Sequence, residues 1–170
     1  MRPLFSFVIP LLMVVAGASG AQAATSPKLH QTYKDWAVFT IKSGSDTLCY
    51  VRSFAQDKAP KNVDHGDVIF FVTSWKSGVA KHQPSLMTGY TLKATPPPKA
   101  RVGSTRITMY TDGNEAFVEE TSDERKLINA MKKGSLLRVE ARSKRGTATT
   151  YEFSLSGITA ALQKADALCK

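Results

Sequence analysis

Residues 68–75 read Val-Ile-Phe-Phe-Val-Thr-Ser-Trp, and this segment is the clearest indication of a β-rich fold. The run is almost continuously apolar and rich in β-branched and aromatic side chains, which is typical of a buried strand in the middle of a sheet. Polar segments precede and follow it, at residues 55–66 and 76–84. We therefore predict a central strand at residues 68–75, bounded by two loops.

The segments around this strand also have the patterns of short strands. Apolar and polar residues alternate over residues 35–41 and 48–54, and the turn at residues 43–46 predicts that these two form a hairpin. Asp112-Gly113 favours a second tight hairpin. The remaining predicted strands are residues 86–92, 106–110, 116–118, 136–141 and 147–155. In total the sequence predicts about eight short strands.

Two amphipathic segments predict short α-helices, at about 122–133 and 156–168. Thr121 and Glu124 have the spacing of a capping box at the start of the first helix, and Gly134 suits its C-terminal cap. Ser156 is expected to cap the second helix. The fold class is therefore mainly β: an antiparallel β-sandwich or flattened barrel of about eight strands with two short α-helices.

The N-terminal residues have the three parts of a secretory signal peptide. Arg2 supplies the positive charge, residues 4–18 form the apolar run, and Ala21-Gln22-Ala23 supplies the small residues of a cleavage site. We predict a signal peptide at 1–23, a loose N-terminal segment at 24–34 and a single β-sandwich domain at 35–170. The apolar run is shorter than the roughly 20 residues of a spanning helix. We expect a periplasmic or secreted protein with no transmembrane span after cleavage near Ala23.

The chain has two cysteines, Cys49 and Cys169. In an exported protein a pair of cysteines predicts one structural disulfide, here between the second predicted strand and the end of the second helix. Neither cysteine belongs to a Cys-x-x-Cys pair, which argues against a redox enzyme.

The formal net charge is +9, of which Arg2 contributes one charge within the predicted signal peptide. Such a balance favours anionic partners: lipid head groups, lipopolysaccharide or acidic glycan at the cell envelope or on a host surface. Nucleic acid is a poor partner for an exported protein. Basic residues at alternating strand positions predict one basic sheet face that could bind an anionic ligand. Arg106, Arg138 and Arg142 occupy such positions and are taken together with Lys93, although a solvated outer sheet face carries such arginines routinely.

The sequence has no recognisable catalytic motif. It lacks a Gly-x-Ser-x-Gly nucleophile elbow and a glycine-rich phosphate loop, so we predict no catalytic residues and no cofactor. Asp64-His65-Gly66-Asp67 places carboxylates beside an imidazole, and these groups can ligate a divalent metal. Adjacent ligands on a glycine-containing turn are more often ordinary loop chemistry. We predict no metal site and keep an exported metalloprotein, with His65 as ligand, as the least favoured alternative.

Seven motifs follow one another along the predicted mature chain. They are Asp35-Trp36-Ala37-Val38, Cys49-Tyr50-Val51-x-Ser53, Val72-Thr73, Gly89-Tyr90, Ala130-Met131-Lys132-Lys133-Gly134-Ser135, Ser143-x-Arg145-Gly146-Thr147 and Ser154-Leu155-Ser156-Gly157, before the final Cys169. In this order they resemble the invasion-associated locus B family. That family consists of exported proteins of alphaproteobacteria and is named after a locus needed for entry of a pathogen into red blood cells.

The resemblance implies a non-enzymatic exported protein, with a role in virulence and host cell invasion, that binds at the cell envelope or a host surface. The family has no established catalytic residues to transfer onto this chain. A second hypothesis, based on the basic sheet face, is a β-sandwich accessory protein that binds a glycan or another anionic ligand.

Overall fold

The computed structural model describes residues 26–170. The predicted signal peptide at 1–23 lies outside these residues. The described part of the chain contains two helices, α1 and α2, at Thr121–Lys133 and Ile158–Leu168. It contains twelve strands, numbered β1 to β12 in chain order, at Lys28–Tyr33, Trp36–Ser43, Asp46–Phe54, Asp57–Ala59, Ile69–Trp75, Gln83–Met87, Lys99–Val102, Thr105–Thr108, Tyr110–Asp112, Glu115–Phe117, Leu136–Arg142 and Ala148–Ser154.

The strands form two antiparallel sheets. The seven-stranded sheet has the order β1-β2-β3-β5-β6-β10-β9, and the five-stranded sheet has the order β4-β12-β11-β7-β8. Within residues 26–170 neither sheet closes on itself, so a sandwich describes the molecule and a flattened barrel does not. The prediction of a mainly β, antiparallel sandwich with two helices is confirmed.

The core lies between the inner faces of the two sheets. Phe70 of β5 meets Phe153 of β12 with ring centroids 5.6 Å apart, and both rings are fully buried. Trp36 of β2 is also fully buried, and its indole Nε1 donates a hydrogen bond to the Ser154 carbonyl at 2.9 Å. The indole therefore fills the core and also joins the two sheets without leaving a buried polar atom unpaired.

Strand β5 is central, as predicted, but it is not buried on both faces. Its inward residues Phe70, Val72 and Ser74 are buried, whereas Phe71, Thr73 and Trp75 on the other face are partly exposed. The outer face of a sheet can contact solvent when no layer covers it, so a continuous apolar run does not distinguish a covered face from an open one.

The prediction of a loose segment at 24–34 is wrong for Lys28–Tyr33, which form edge strand β1. The segment is polar and mostly exposed, so its own pattern is weak. It forms a strand because it pairs antiparallel with β2, and because the Asp35 amide donates to the Ser156 carbonyl at 3.3 Å just beyond its end. Pairing with a neighbouring strand overrides local propensity here.

The single strand predicted at 106–110 is two strands in different sheets. β8 pairs with β7 in the five-stranded sheet, and β9 pairs with β10 in the seven-stranded sheet. Met109 lies between β8 and β9 and is almost fully buried. The chain therefore crosses from one sheet to the other at this methionine.

Both helices lie where the sequence predicts them, but their caps differ. The capping box does not form: α1 begins at Thr121 itself, Glu120 is the N-cap residue, and no side chain bonds to the cap. Ser156 does not cap α2 either, because Gly157 occupies that position with a φ of 94°. At the end of α1, Gly134 does serve as the cap, and its amide donates to the Ala130 carbonyl at 2.8 Å.

The predicted disulfide is present: Cys49 and Cys169 are bonded, with Cα atoms 5.9 Å apart. Cys49 belongs to the inner face of β3 and is fully buried, so the bond attaches the C-terminal end of α2 to the core side of the seven-stranded sheet. The outer face of that sheet is left uncovered as a result. No helix within residues 26–170 has the length and apolar character needed to cross a membrane.

Candidate functional site

Each sheet turns one face towards the core and the other outward, because successive side chains of a strand point to opposite faces. We call the outer face of the five-stranded sheet the basic face and the outer face of the seven-stranded sheet the aromatic face. The charged and threonine side chains of the basic face are Asp57, Lys99, Arg101, Arg106, Thr108, Arg138, Glu140, Arg142, Thr150 and Glu152.

Three arginines form a row across the basic face. Arg106 of β8 is paired in register with Arg101 of β7, and Arg101 is paired with Arg138 of β11. Neighbouring strands are about 4.8 Å apart, so the row extends over roughly 10 Å. Like charges directly opposite each other on neighbouring strands destabilise a sheet. The row therefore has an electrostatic cost in the protein alone.

Only one end of this row is neutralised within the part of the chain described here. The Arg138 guanidinium forms an ion pair with Glu152 of β12, and its Nε donates to Oε1 at 3.0 Å. The side chains of Arg101 and Arg106 have no ion-pair or hydrogen-bond partner among residues 26–170. Glu140 is paired in register with Lys99 beside them, but these two side chains do not form an ion pair either.

The four residues predicted as an anionic-ligand site occupy different surroundings. Arg106 and Arg138 lie in the row. Arg142 is on the same face, but its guanidinium Nη1 donates to the Gly146 carbonyl at 2.6 Å and so supports the β11–β12 turn. Lys93 is exposed outside the strands, and its backbone amide donates to the Arg142 carbonyl at 2.8 Å.

Two further basic residues on this face, Lys99 and Arg101, were missed by sequence reasoning. They follow the Pro96-Pro97-Pro98 tract, and no strand was predicted there. The signal was the alternation in Lys99-Ala100-Arg101-Val102, where Ala100 and Val102 are buried and the two basic residues point outward. Four residues are too few for such a period to stand out in the sequence.

The aromatic face carries rings on most of its strands. Phe39 of β2 stacks on Tyr50 of β3 with centroids 5.3 Å apart, and Tyr50 meets Phe71 of β5 at 5.8 Å. Farther across the sheet, Tyr110 of β9 packs against Phe117 of β10 at 5.7 Å. Of these residues, Phe71 belongs to the strand that was predicted to be buried, but neither helix covers any of these rings.

A shallow groove of about 300 Å³ crosses the aromatic face. As far as residues 26–170 form it, its lining combines aromatic and other apolar side chains with uncharged polar ones and one carboxyl group. The residues are Leu48, Tyr50, Phe71, Thr73, Trp75, Gln83, Ser85, Glu115 and Phe117. Burial raises the pKa of Glu115, and the nearby Asp112 carboxylate raises it further. Burial also raises the pKa of Tyr50, although the positive charge of Arg52 opposes that shift.

His65, the proposed alternative metal ligand, is buried between protein groups. Its Nε2 lies 2.9 Å from the Pro60 carbonyl and its Nδ1 lies 3.0 Å from the Tyr151 hydroxyl. Asp64 instead accepts a hydrogen bond from the Gly66 amide at 2.8 Å. Both ring nitrogens of His65 are therefore engaged, and the two neighbouring acidic residues and His65 do not form a metal-ligand cluster among the described residues.

Comparison with known proteins gives one match. A family model described as "Invasion associated locus B (IalB) protein" matches residues 36–166. No curated protein and no solved structure matches the chain.

Proposed function

Since the chain belongs to the invasion-associated locus B family, we propose that it is an exported protein that binds anionic groups of the cell envelope or of a host surface through its basic face. The family is not a known enzyme family, and the proposed role is binding without catalysis. The proposal of export rests on the signal-peptide pattern at 1–23.

The observation that carries this proposal is the row formed by Arg106, Arg101 and Arg138. Two of these three guanidinium groups form no ion pair with residues 26–170, and like charges on adjacent strands cost stability. Proteins retain such local conflicts most often at functional sites. A phosphate, sulfate or carboxylate group placed over the row would supply the missing negative charge and accept bidentate hydrogen bonds from arginine.

The composition of the basic face favours an anionic surface or glycan as its ligand over single-stranded nucleic acid. Proteins that bind single strands combine positive charge with aromatic rings on which bases stack. The basic face has five basic and three acidic side chains and no aromatic ring among its described outward residues. It suits ligands that are recognised through charge, such as lipopolysaccharide or an acidic polysaccharide.

Titration of the purified protein with lipopolysaccharide, and separately with dextran sulfate, would test the proposal at low and at high salt. We expect binding to lipopolysaccharide that weakens as salt rises, because exposed charges are screened within about 10 Å at 0.1 M salt. A response to dextran sulfate alone would assign the face to sulfated or acidic polysaccharide instead of lipid-linked phosphate. Absence of salt-sensitive binding to either probe would contradict the proposal.

Charge variants locate the binding on the face. Arg106→Gln should weaken binding several-fold because it removes an unpaired charge from the row. Arg125→Gln is the matched control: it removes the same charge from an exposed position on α1, away from the basic face. Equal losses in the two variants would mean that net charge, and not the row, determines binding.

A further inference from the structure

The groove on the aromatic face has a defined shape. It contains polar side chains on two adjacent strands, Thr73 of β5 and Gln83 and Ser85 of β6, where Thr73 is paired in register with Gln83. Ser85 lies between two rings, because its register partners on the neighbouring strands are Phe71 of β5 and Phe117 of β10, and Trp75 lies at the end of β5. The groove is therefore an open trough in which polar side chains lie among aromatic ones.

The polar side chains of this trough have no hydrogen-bond partners within the part of the chain that the structure describes. The side chains of Thr73, Gln83, Ser85 and Glu115 make no hydrogen bond with any other group of residues 26–170. Partly buried donors and acceptors of this kind are normally satisfied by protein, water or ligand. Four of them converge on one groove, and together they can both donate and accept hydrogen bonds.

The aromatic rings near the groove differ in whether a cation of the protein already lies over them. The Arg52 guanidinium lies over Phe39 at 4.6 Å and over Phe54 at 5.3 Å from the ring centroids, so these two rings already have a cation on one face. The rings of Phe71, Trp75 and Phe117 line the groove and have no cation over them in the described part of the chain. They are the rings that a ligand could contact.

The charge of the lining restricts the ligand. Among the described residues, the lining of the groove contains no basic residue, and Glu115 is its one acidic residue. An anionic ligand would be repelled by the Glu115 carboxylate and by the neighbouring Asp112, and it would find no counter-charge in the groove. The lining is instead complementary to an uncharged molecule that has apolar faces and many hydroxyl or amide groups. This distinguishes the groove from the basic face on the opposite sheet.

We propose that the groove on the aromatic face is a second binding site, which holds a neutral β-linked oligosaccharide. A β-1,4-linked chain of pyranoses has flat C–H faces that pack on aromatic rings and a rim of hydroxyl groups that form hydrogen bonds. Trp75, Phe71 and Phe117 contact the C–H faces. Gln83, Thr73, Ser85 and Glu115 bind the hydroxyl or acetamido groups.

A second copy of this chain is the competing occupant, and the lining argues against it. Two aromatic faces packed together would bury the unpartnered polar groups of both grooves, and burial of a polar group without a hydrogen bond is costly. A sugar chain brings a hydroxyl group to nearly every polar position. The two occupants differ in mass and concentration dependence, so one set of measurements distinguishes them.

Tryptophan fluorescence gives a direct assay with chitohexaose and cellohexaose as probes. The chain has two tryptophans, and Trp36 is fully buried whereas Trp75 lines the groove. We expect a saturable change in emission on titration with at least one of the two β-linked probes. Maltohexaose, whose α-linked chain is curved, should bind more weakly than that probe.

Two groove variants are used, so the test still gives a result if one of them fails to fold. Trp75→Ala should weaken binding at least about tenfold, measured by calorimetry because the fluorophore is lost. Gln83→Ala changes only a partly exposed polar side chain and should weaken binding without loss of thermal stability. Leu29→Ala is the control: Leu29 is an exposed apolar residue on edge strand β1, outside the groove.

Three results would overturn the proposal. The first is no binding of chitohexaose or cellohexaose at millimolar concentration. The second is binding that is the same in Trp75→Ala and Gln83→Ala as in Leu29→Ala. The third is a dimer in sedimentation experiments that Trp75→Ala abolishes and that saturating probe does not dissociate, because the groove would then hold a second copy. None of these results depends on lipopolysaccharide binding at the basic face.

Discussion

At the residue scale, Tyr151 and His65 are the centre of a buried hydrogen-bond chain. A carbonyl oxygen only accepts, so His65 Nε2 donates to Pro60, and in the neutral imidazole Nδ1 then accepts from the Tyr151 hydroxyl. Tyr90 contacts the Tyr151 hydroxyl and the Thr149 hydroxyl, the latter at 2.8 Å. Burial raises the pKa of Tyr151 far above its ordinary value, so the phenol keeps its proton and can donate it to His65. This hydrogen-bond chain provides partners for both nitrogens of the His65 imidazole, which would otherwise be an unpaired polar group in the interior.

Tyr151→Phe tests the energetic value of this chain. The change leaves His65 Nδ1 without its donor in a buried setting, so we expect a loss of about 1–3 kcal/mol in the free energy of unfolding. Urea denaturation followed by circular dichroism measures it. Tyr110→Phe is the matched control, because Tyr110 is 46% exposed and its hydroxyl has no partner in residues 26–170. Equal stability of the two variants would show that the hydrogen bond contributes nothing.

At the element scale, the start of α2 depends on one glycine. Gly157 has a φ of 94°, and a Cβ atom at this position would lie 2.0 Å from the Tyr33 carbonyl oxygen. The helix therefore begins where edge strand β1 ends, and the two elements are too close for any side chain between them. The sequence could not show this contact, because Tyr33 and Gly157 are far apart in the chain.

Gly157→Ala should destabilise the protein much more than Gly146→Ala. Both glycines have a left-handed φ, 94° and 98°, but a Cβ at position 146 would meet nothing within 4 Å. Backbone strain alone costs about 1–2 kcal/mol at each site, and the steric overlap with Tyr33 adds to it at position 157 only. Thermal unfolding of the two variants gives the comparison. A similar melting temperature for both would mean that β1 moves aside freely.

The elements themselves differed in how far they could be predicted. Central β-strands such as β3 and β5 and both helices were predictable, because hydrophobic periodicity and length define them locally. β1, β4 and β7 are short or polar, and they are strands because a neighbouring strand pairs with them. Local alternation was also enough to assign Arg106, Arg138 and Arg142 to outward positions. It was not enough to predict the row of arginines, because the row depends on the strand order β12-β11-β7-β8, which brings distant segments together.

The aromatic face shows a different limit of sequence reasoning. Phe71 and Trp75 belong to the apolar segment at residues 68–75, and such residues indicate a core strand in any sequence. Their exposure depends on where α2 packs, and the Cys49–Cys169 bond places its end on the inner side of the sheet. No local pattern contains that information.

At the scale of the whole molecule, the disulfide joins residues 120 positions apart. In the chain-entropy account a loop of this length contributes about 5 kcal/mol by restricting the unfolded chain. This bond is the covalent link between α2 and the seven-stranded sheet, whose packing otherwise depends on Ile158, Ala161, Leu162 and Ala165.

Replacement of both cysteines, as Cys49→Ala with Cys169→Ala, should lower the free energy of unfolding by about 5 kcal/mol. Denaturant titration with and without a reductant measures this. Reductant should destabilise the original protein by a similar amount and leave the double variant unchanged. A stability that does not respond to reductant would contradict the structural role of the bond.

The row of arginines on the basic face is expected to lower the stability of the protein and to bind anionic ligands. One variant tests both effects. Arg101 is the middle residue of the row, so Arg101→Gln removes two like-charge contacts while keeping most of the side chain. We expect the free energy of unfolding to rise by about 1 kcal/mol, or roughly 2–4 °C in melting temperature, and this gain to shrink at high salt. Affinity for lipopolysaccharide or dextran sulfate should fall in the same variant, and Arg125→Gln should show neither effect. A variant that is less stable than the original protein, or that binds these anions equally well, would contradict the account.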